Sequence, residues 1–95
     1  MQLRLAGDEL LLLHKSGHHP ILPASVVRTF FRALEVIDAA ASESDLTALR
    51  SLGYEARGRT VRIQLADGFV IEGRRERRDD GAWVLVFDAL PHLAA

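Results

Sequence analysis

The sequence predicts a small α+β domain, in which an N-terminal strand and two to three helices pack on a small antiparallel sheet in the order β-α-α-α-β-β-β. Between residues 24 and 41, apolar side chains recur at three- and four-residue spacing, which is the period of a helix that lies on a core. Beyond residue 60, apolar and polar residues alternate in short segments separated by Asp-Gly turns, a pattern typical of hairpins. The chain has 95 residues, of which 48% are hydrophobic, so one core and a single domain over residues 1–95 are expected.

The first half of the chain contains the predicted N-terminal strand and the helices. Residues 1–6 alternate as a half-buried strand does, and residues 8–15 predict a short helix after a Gly-Asp turn. Two prolines and a glycine interrupt regular structure, so residues 16–22 are predicted to form a loop. Pro23 suits the first turn of the long helix, because its missing N–H would be unpaired there anyway.

A second helix in tandem is predicted from its ends. Ser42 or Ser44 can cap its N-terminus, and the helix is expected to run through Ser51. Gly53 can close it in a left-handed conformation. The strands then follow as residues 60–65, 69–73 and 83–87.

Charge is distributed unevenly along the chain. The formal net charge of −1 argues against an indiscriminate nucleic-acid binder. Residues 57–78 nevertheless carry seven arginines against three carboxylates, an excess of +4, whereas residues 35–55 carry an excess of −4. A bipolar molecule is therefore predicted.

Several classes of protein are excluded by what the sequence lacks. There is no cysteine, so disulfides and thiolate zinc sites are not expected, and the apolar run Leu10–Leu13 is too short to span a membrane. His14 and His18 have helical spacing, but Gly17 interrupts that helix, and no metal site is expected. These observations favour a cytoplasmic protein that needs no cofactor and does not associate with a membrane.

Several short segments together form a recognisable pattern. They are Val26-Val27-Arg28, Ile37-Asp38-Ala39-Ala40, Ser44-Asp45-Leu46, Ala48-Leu49-Arg50-Ser51-Leu52 and Tyr54-Glu55. A long helix, an acidic-capped short helix that ends in Leu-Arg-Ser-Leu, and an aromatic-Glu pair follow one another. In this order the chain resembles the HigB-like members of the RelE superfamily, the toxins of bacterial type II toxin–antitoxin systems, over about residues 1–92.

The resemblance implies a RelE-like fold and a ribosome-dependent mRNA endonuclease, or mRNA interferase, that a cognate antitoxin neutralises. The implied partners are the antitoxin, the ribosome and mRNA. In such cleavage a 2′-hydroxyl attacks the adjacent phosphate, so the site must hold that geometry, manage a proton and stabilise negative charge. Arginines and a general acid or base on a sheet can supply these functions.

Eight residues are the candidates for this chemistry. The expected catalytic residues are Arg57, Arg59, Arg62 and His92. The residues expected to contact RNA phosphates through the fork geometry of guanidinium are Arg74, Arg75, Arg77 and Arg78. The competing interpretations are a solvated hairpin tip for the arginine cluster and an ordinary exposed histidine near the C-terminus for His92.

Departures from the family pattern leave two alternatives open. Gln64 and Val70 stand where relatives carry strand arginines, which favours a catalytically degenerate RelE/ParE-like protein that binds an antitoxin or inhibits a target such as DNA gyrase. The hairpin from Val61 to Gly73 also resembles the opening hairpin of an Sm-like RNA-binding barrel. The nuclease interpretation requires the arginines to gather in one pocket without being neutralised by Glu72 and Glu76.

Overall fold

Within residues 1–94, three helices and six strands form the fold. A computed structural model describes residues 1–94. The elements are β1 (Gln2–Leu5), α1 (Asp8–Ser16), α2 (Ala24–Ala39), α3 (Glu43–Ala48), β2 (Tyr54–Arg57), β3 (Thr60–Gln64), β4 (Phe69–Arg77), β5 (Trp83–Phe87) and β6 (His92–Leu93). The predicted α+β class is confirmed, and so is an N-terminal strand followed by three helices. Five strands rather than the predicted three follow the helices, because Tyr54–Arg57 and His92–Leu93 also pair into the sheet.

The sheet is mixed, and the prediction of a purely antiparallel sheet is wrong. Its strands lie in the order β1-β5-β4-β3-β2, and β6 pairs with the first residues of β4. β1 runs parallel to β5, and this register places Leu3 opposite Leu85 and Leu5 opposite Phe87, on the face that packs against the helices. The sheet has open edges at β1 and β2, so the hairpin from Val61 to Gly73 is not part of a closed barrel of the Sm-like kind.

The core lies between this sheet and the apolar stripe of α2. Val27, Phe30, Leu34 and Ile37 are buried at the spacing that the sequence predicts. Buried strand residues complete the cluster from the sheet side: Val61, Ile63, Ile71, Leu85 and Phe87. Period-2 alternation in the strands and period-3.6 alternation in α2 therefore meet in one hydrophobic layer.

Both helices of the tandem end earlier than predicted. α2 ends at Ala39 because Ala40 is extended, with ψ 137°. α3 ends at Ala48 rather than at Ser51, because Leu49 leaves the helical region and a 3₁₀ turn over Arg50–Leu52 follows. Gly53 closes that turn in the predicted left-handed conformation, with φ 63°.

The β3–β4 hairpin forms where the Asp-Gly pair predicts it. Asp67 and Gly68 both have positive φ, at 58° and 78°. The backbone N–H of Leu65 donates to the carbonyl oxygen of Phe69 at 2.8 Å and closes the loop. β4 then extends to Arg77, four residues beyond the predicted end, because pairing with β5 continues along its second half.

Neighbouring atoms leave no room for a side chain at Gly73 of β4. A Cβ added there would lie 2.2 Å from the carbonyl oxygen of Val86 and 2.7 Å from Cδ1 of Phe87. Gly73→Ala should therefore lower the free energy of unfolding by about 1–3 kcal/mol, measured by urea denaturation.

Gly17 provides the matched control, because its φ is 80° and nothing lies within 4 Å of an added Cβ. Gly17→Asn should change stability little, since asparagine tolerates the left-handed conformation. Equal losses in the two variants would contradict steric crowding as the reason for Gly73.

Candidate functional site

The alternation of β4 separates the predicted arginine cluster onto two faces of the sheet. Arg75 stands opposite Leu85 and Arg77 opposite Trp83, so both lie on the face that carries the helices. Arg74 stands opposite Thr60 and Val86, on the helix-free face. The arginines of residues 74–78 therefore do not form one strip.

The helix-free face brings together three of the four predicted catalytic residues. Arg57 of β2, Arg62 of β3 and His92 of β6 share it, by the register of each strand with its neighbour. A shallow cavity of about 200 Å³ lies beside Arg57 and Arg62 and also includes Glu55 and Glu72. This is the arrangement in which RNA chemistry would have to take place.

Glu72 lies between two of these residues. Its Oε1 is 2.9 Å from Nε2 of His92 and 3.8 Å from a terminal nitrogen of Arg62. All three side chains are between a third and a half exposed, and ion pairs this exposed contribute about 1 kcal/mol or less. The carboxylate nonetheless occupies the space between the histidine and the arginine.

Arg74 is held by two carboxylates on the same face. Its Nε donates to Glu76 at 2.7 Å, and another guanidinium nitrogen donates to Asp88 at 2.8 Å. Glu76 also accepts a hydrogen bond from Arg4 at 3.3 Å. The hydrogen bond from Arg74 lowers the pKa of Glu76 below its ordinary value, and the charges of Arg4 and Arg59 add to that effect.

One cross-strand row crosses this face at the end of the sheet where β3 finishes and β4 begins. Gln64 stands opposite Val70, and Val70 stands opposite His92 on its other side. Val70 is 3% exposed, whereas Gln64 and His92 are exposed. Val70 and Gln64 are the two positions at which the resemblance implies arginines. Val70 pairs directly with His92 and Gln64 pairs with Val70, and neither residue is a cation.

Arg75 anchors several elements on the other face. Its guanidinium donates to Glu43 of α3 at 2.5 Å and to the carbonyl oxygen of Gly58 at 2.7 Å. Glu43 also accepts a hydrogen bond from the Tyr54 hydroxyl at 3.1 Å. Because these contacts join α3, β2, the β2–β3 turn and β4, Arg75 has a structural role and is not available for phosphate.

The remaining arginines lie at the rim of the sheet. The guanidinium carbons of Arg77 and Arg75 are 4.8 Å and 5.0 Å from the centre of the Trp83 ring, a cation–π arrangement. Arg78 donates to Gln2 and lies 3.6 Å from Asp80. Within residues 1–94, no ion pair involves Arg57, Arg59 or Arg77.

Compared with family models, curated proteins and solved structures, the chain matches none.

Within residues 1–94 no helix has the length and apolar character needed to cross a bilayer. In the same part of the chain, no three His, Asp or Glu side chains converge as metal ligands must, and His14 instead stacks on the Phe31 ring at 5.8 Å.

Two contacts of the site were missed by sequence reasoning, that of His92 with Glu72 and that of Arg75 with Glu43. The alternation of the β3–β4 hairpin is sufficient to place Glu72 opposite Arg62. The two-residue strand that brings His92 to Glu72 has no sequence signal of its own. Glu43 and Arg75 are 32 residues apart in sequence, and no local pattern connects them.

Ionisation of the Tyr54 phenol can be used to probe the contacts among Tyr54, Glu43 and Arg75. Burial, followed by the charge of Glu43 and its hydrogen bond, raises the pKa of Tyr54 well above its ordinary value of 10.0. Because Tyr54 is the chain's one tyrosine, an ultraviolet titration of tyrosinate should show ionisation only at more alkaline pH than a model phenol. Glu43→Gln should shift that ionisation back toward neutrality, though not completely, since burial remains.

The same shift gives a pH dependence of stability. The Tyr54 phenol ionises near pH 10 in the unfolded chain and only at higher pH in the folded chain. The free energy of unfolding therefore falls as pH rises above about 10. Tyr54→Phe should make that loss shallower in denaturation curves. An unchanged slope would contradict the burial of the phenol.

Proposed function

We propose that the chain is a RelE/HigB-like protein of a toxin–antitoxin system that acts by binding a partner protein and does not cut RNA. The observation that carries this proposal is the row Gln64, Val70 and His92, which holds no guanidinium group beside the histidine. The resemblance in sequence and the order of strand, helices and strands support the family. The geometry of the helix-free face supports the loss of catalysis.

Chemical requirements of RNA cleavage favour the same conclusion. A phosphate must be held near cations, with a general acid and a general base on either side of the reacting bond. Here Glu72 contacts both His92 and Arg62, so its negative charge lies where the phosphate would have to enter. Arg74 is similarly occupied by Glu76 and Asp88.

Expression in a growing bacterial culture tests the proposal. The wild-type chain should leave translated mRNA intact, as measured by mapping new RNA ends after induction. It should also copurify with the product of the adjacent small gene, the expected antitoxin. Cleavage of mRNA only where ribosomes translate it would overturn the proposal, and so would the absence of any complex with that product.

Endonuclease activity is the second candidate, because Arg57, Arg62 and His92 do share one face. The contacts of Glu72 with Arg62 and His92 are exposed and individually weak, so a phosphate group can compete with Glu72 for Arg62. In this case an RNA phosphate displaces the Glu72 carboxylate from Arg62 when the RNA binds.

Under the endonuclease candidate, His92→Gln should reduce mRNA cleavage about 100-fold, the usual contribution of a positioned general acid or base. Substitution of Arg57, Arg59 and Arg62 by Ala should abolish growth arrest. Arg28→Ala, on the exposed side of α2, is the matched control and should keep full activity. Unchanged cleavage in the His92 variant would exclude the histidine from the chemistry.

A further inference from the structure

A groove lies between α2 and the connection that follows α3. One stripe of α2 forms one wall, and the segment Leu49–Gly53 forms the other. The end of β3 closes it, where the backbone N–H of Ala66 donates to the Thr29 hydroxyl at 3.1 Å. Its volume of about 370 Å³ is within the range of ligand pockets, about 300–1,000 Å³.

The floor of this groove is apolar and incompletely covered. Its apolar lining residues are Ala33, Val36, Leu49, Leu52, Leu65 and Ala66. Leu49 is 46% exposed, although it follows α3 directly and adjoins buried core residues. An apolar segment bound in this groove would cover the exposed part of Leu49.

The charged residues of the groove have one sign. Arg32 of α2 and Arg50 of the 3₁₀ turn line it, and its lining includes no Asp or Glu. Neither arginine forms an ion pair within residues 1–94. Four other surface cavities in this part of the chain all include carboxylates. The groove therefore combines an apolar floor with two exposed guanidinium groups.

From this charge complementarity we infer that the groove docks an acidic amphipathic segment of a partner protein, with leucine-type side chains on its floor and carboxylates against Arg32 and Arg50. Guanidinium groups bind carboxylates in a fork geometry, and an amphipathic helix in an apolar groove is a common recognition mode. No aromatic side chain lines the groove, so it offers no stacking platform for nucleic-acid bases. The inference rests on the proposed binding function and names the surface that performs it.

A synthetic peptide tests this docking surface directly. The probe is a fluorescently labelled helical peptide with leucines on one face and glutamates beside them, and binding is followed by fluorescence anisotropy. The double variant Arg32→Glu, Arg50→Glu should weaken binding by about tenfold or more, because both carboxylate partners become repulsive. Arg28→Glu makes a like change on the same helix outside the groove and should leave binding within about twofold of wild type.

Two further probes define the ligand class. A matched peptide with glutamine in place of glutamate should bind wild type about tenfold more weakly. A single-stranded RNA oligonucleotide should not displace the acidic peptide. Displacement by RNA, equal weakening by Arg28→Glu, or no binding of the acidic peptide to the wild-type chain would each overturn the inference.

Failure of this inference can be distinguished from failure of the proposed function. If the charge-reversed groove variant still copurifies with the adjacent gene product, the partner docks elsewhere and only the groove assignment is wrong. If the wild-type chain forms no such complex, the binding function itself fails, whatever the peptide shows. Circular dichroism should be unchanged in both variants, because all three arginines are exposed.

Discussion

The two-residue alternation of β4, in a sheet that carries helices on one face only, determines on which face each charged side chain of β4 lies. Ile71 faces the helices and joins the core, and Gly73 stands on the same face opposite Val61. Beyond Gly73 the same face carries Arg75, which the carboxylate of Glu43 neutralises at the margin of the core. The opposite face receives Glu72, Arg74 and Glu76 in turn. A run of arginines in the sequence thus becomes two separate sets of contacts in the fold.

Carboxylates and arginines are matched closely on the helix-free face. Arg4, Glu76, Arg74 and Asp88 form a continuous chain of contacts across it. Val86 is fully buried on this face, although no helix covers it. Long charged side chains can cover apolar surface with their stems while their heads remain in water. These ion pairs therefore contribute to covering the sheet as well as to its charge balance, and a face neutralised in this way attracts phosphate weakly.

Local patterns predicted local structure, and contacts between distant segments were not predictable from them. The stripe of α2, the Asp67-Gly68 hairpin and the left-handed Gly53 each depend on a few neighbouring residues, and all three were predicted. The parallel pairing of β1 with β5 joins residues about eighty positions apart, and no hairpin signal specifies it. For the candidate site, alternation places Arg62 and Arg74 on one face and Arg75 on the other. The partner of Arg75 and the strand of His92 required the tertiary fold.

Among residues 1–94, positive charge without an ion-pair partner also lies outside the arginine-rich stretch, at Arg32 and Arg50. Residues 57–78 have the highest density of cations, but carboxylates engage four of their seven arginines, namely Arg62, Arg74, Arg75 and Arg78. Arg32 and Arg50 are isolated in sequence within a region that is acidic overall, yet the fold brings both to one groove without a carboxylate. In a chain with a net charge of −1, it is pairing in three dimensions that determines which cations can recognise an anionic group. A partner with an acidic segment would therefore meet less competition at this groove than at Arg62, Arg74, Arg75 or Arg78.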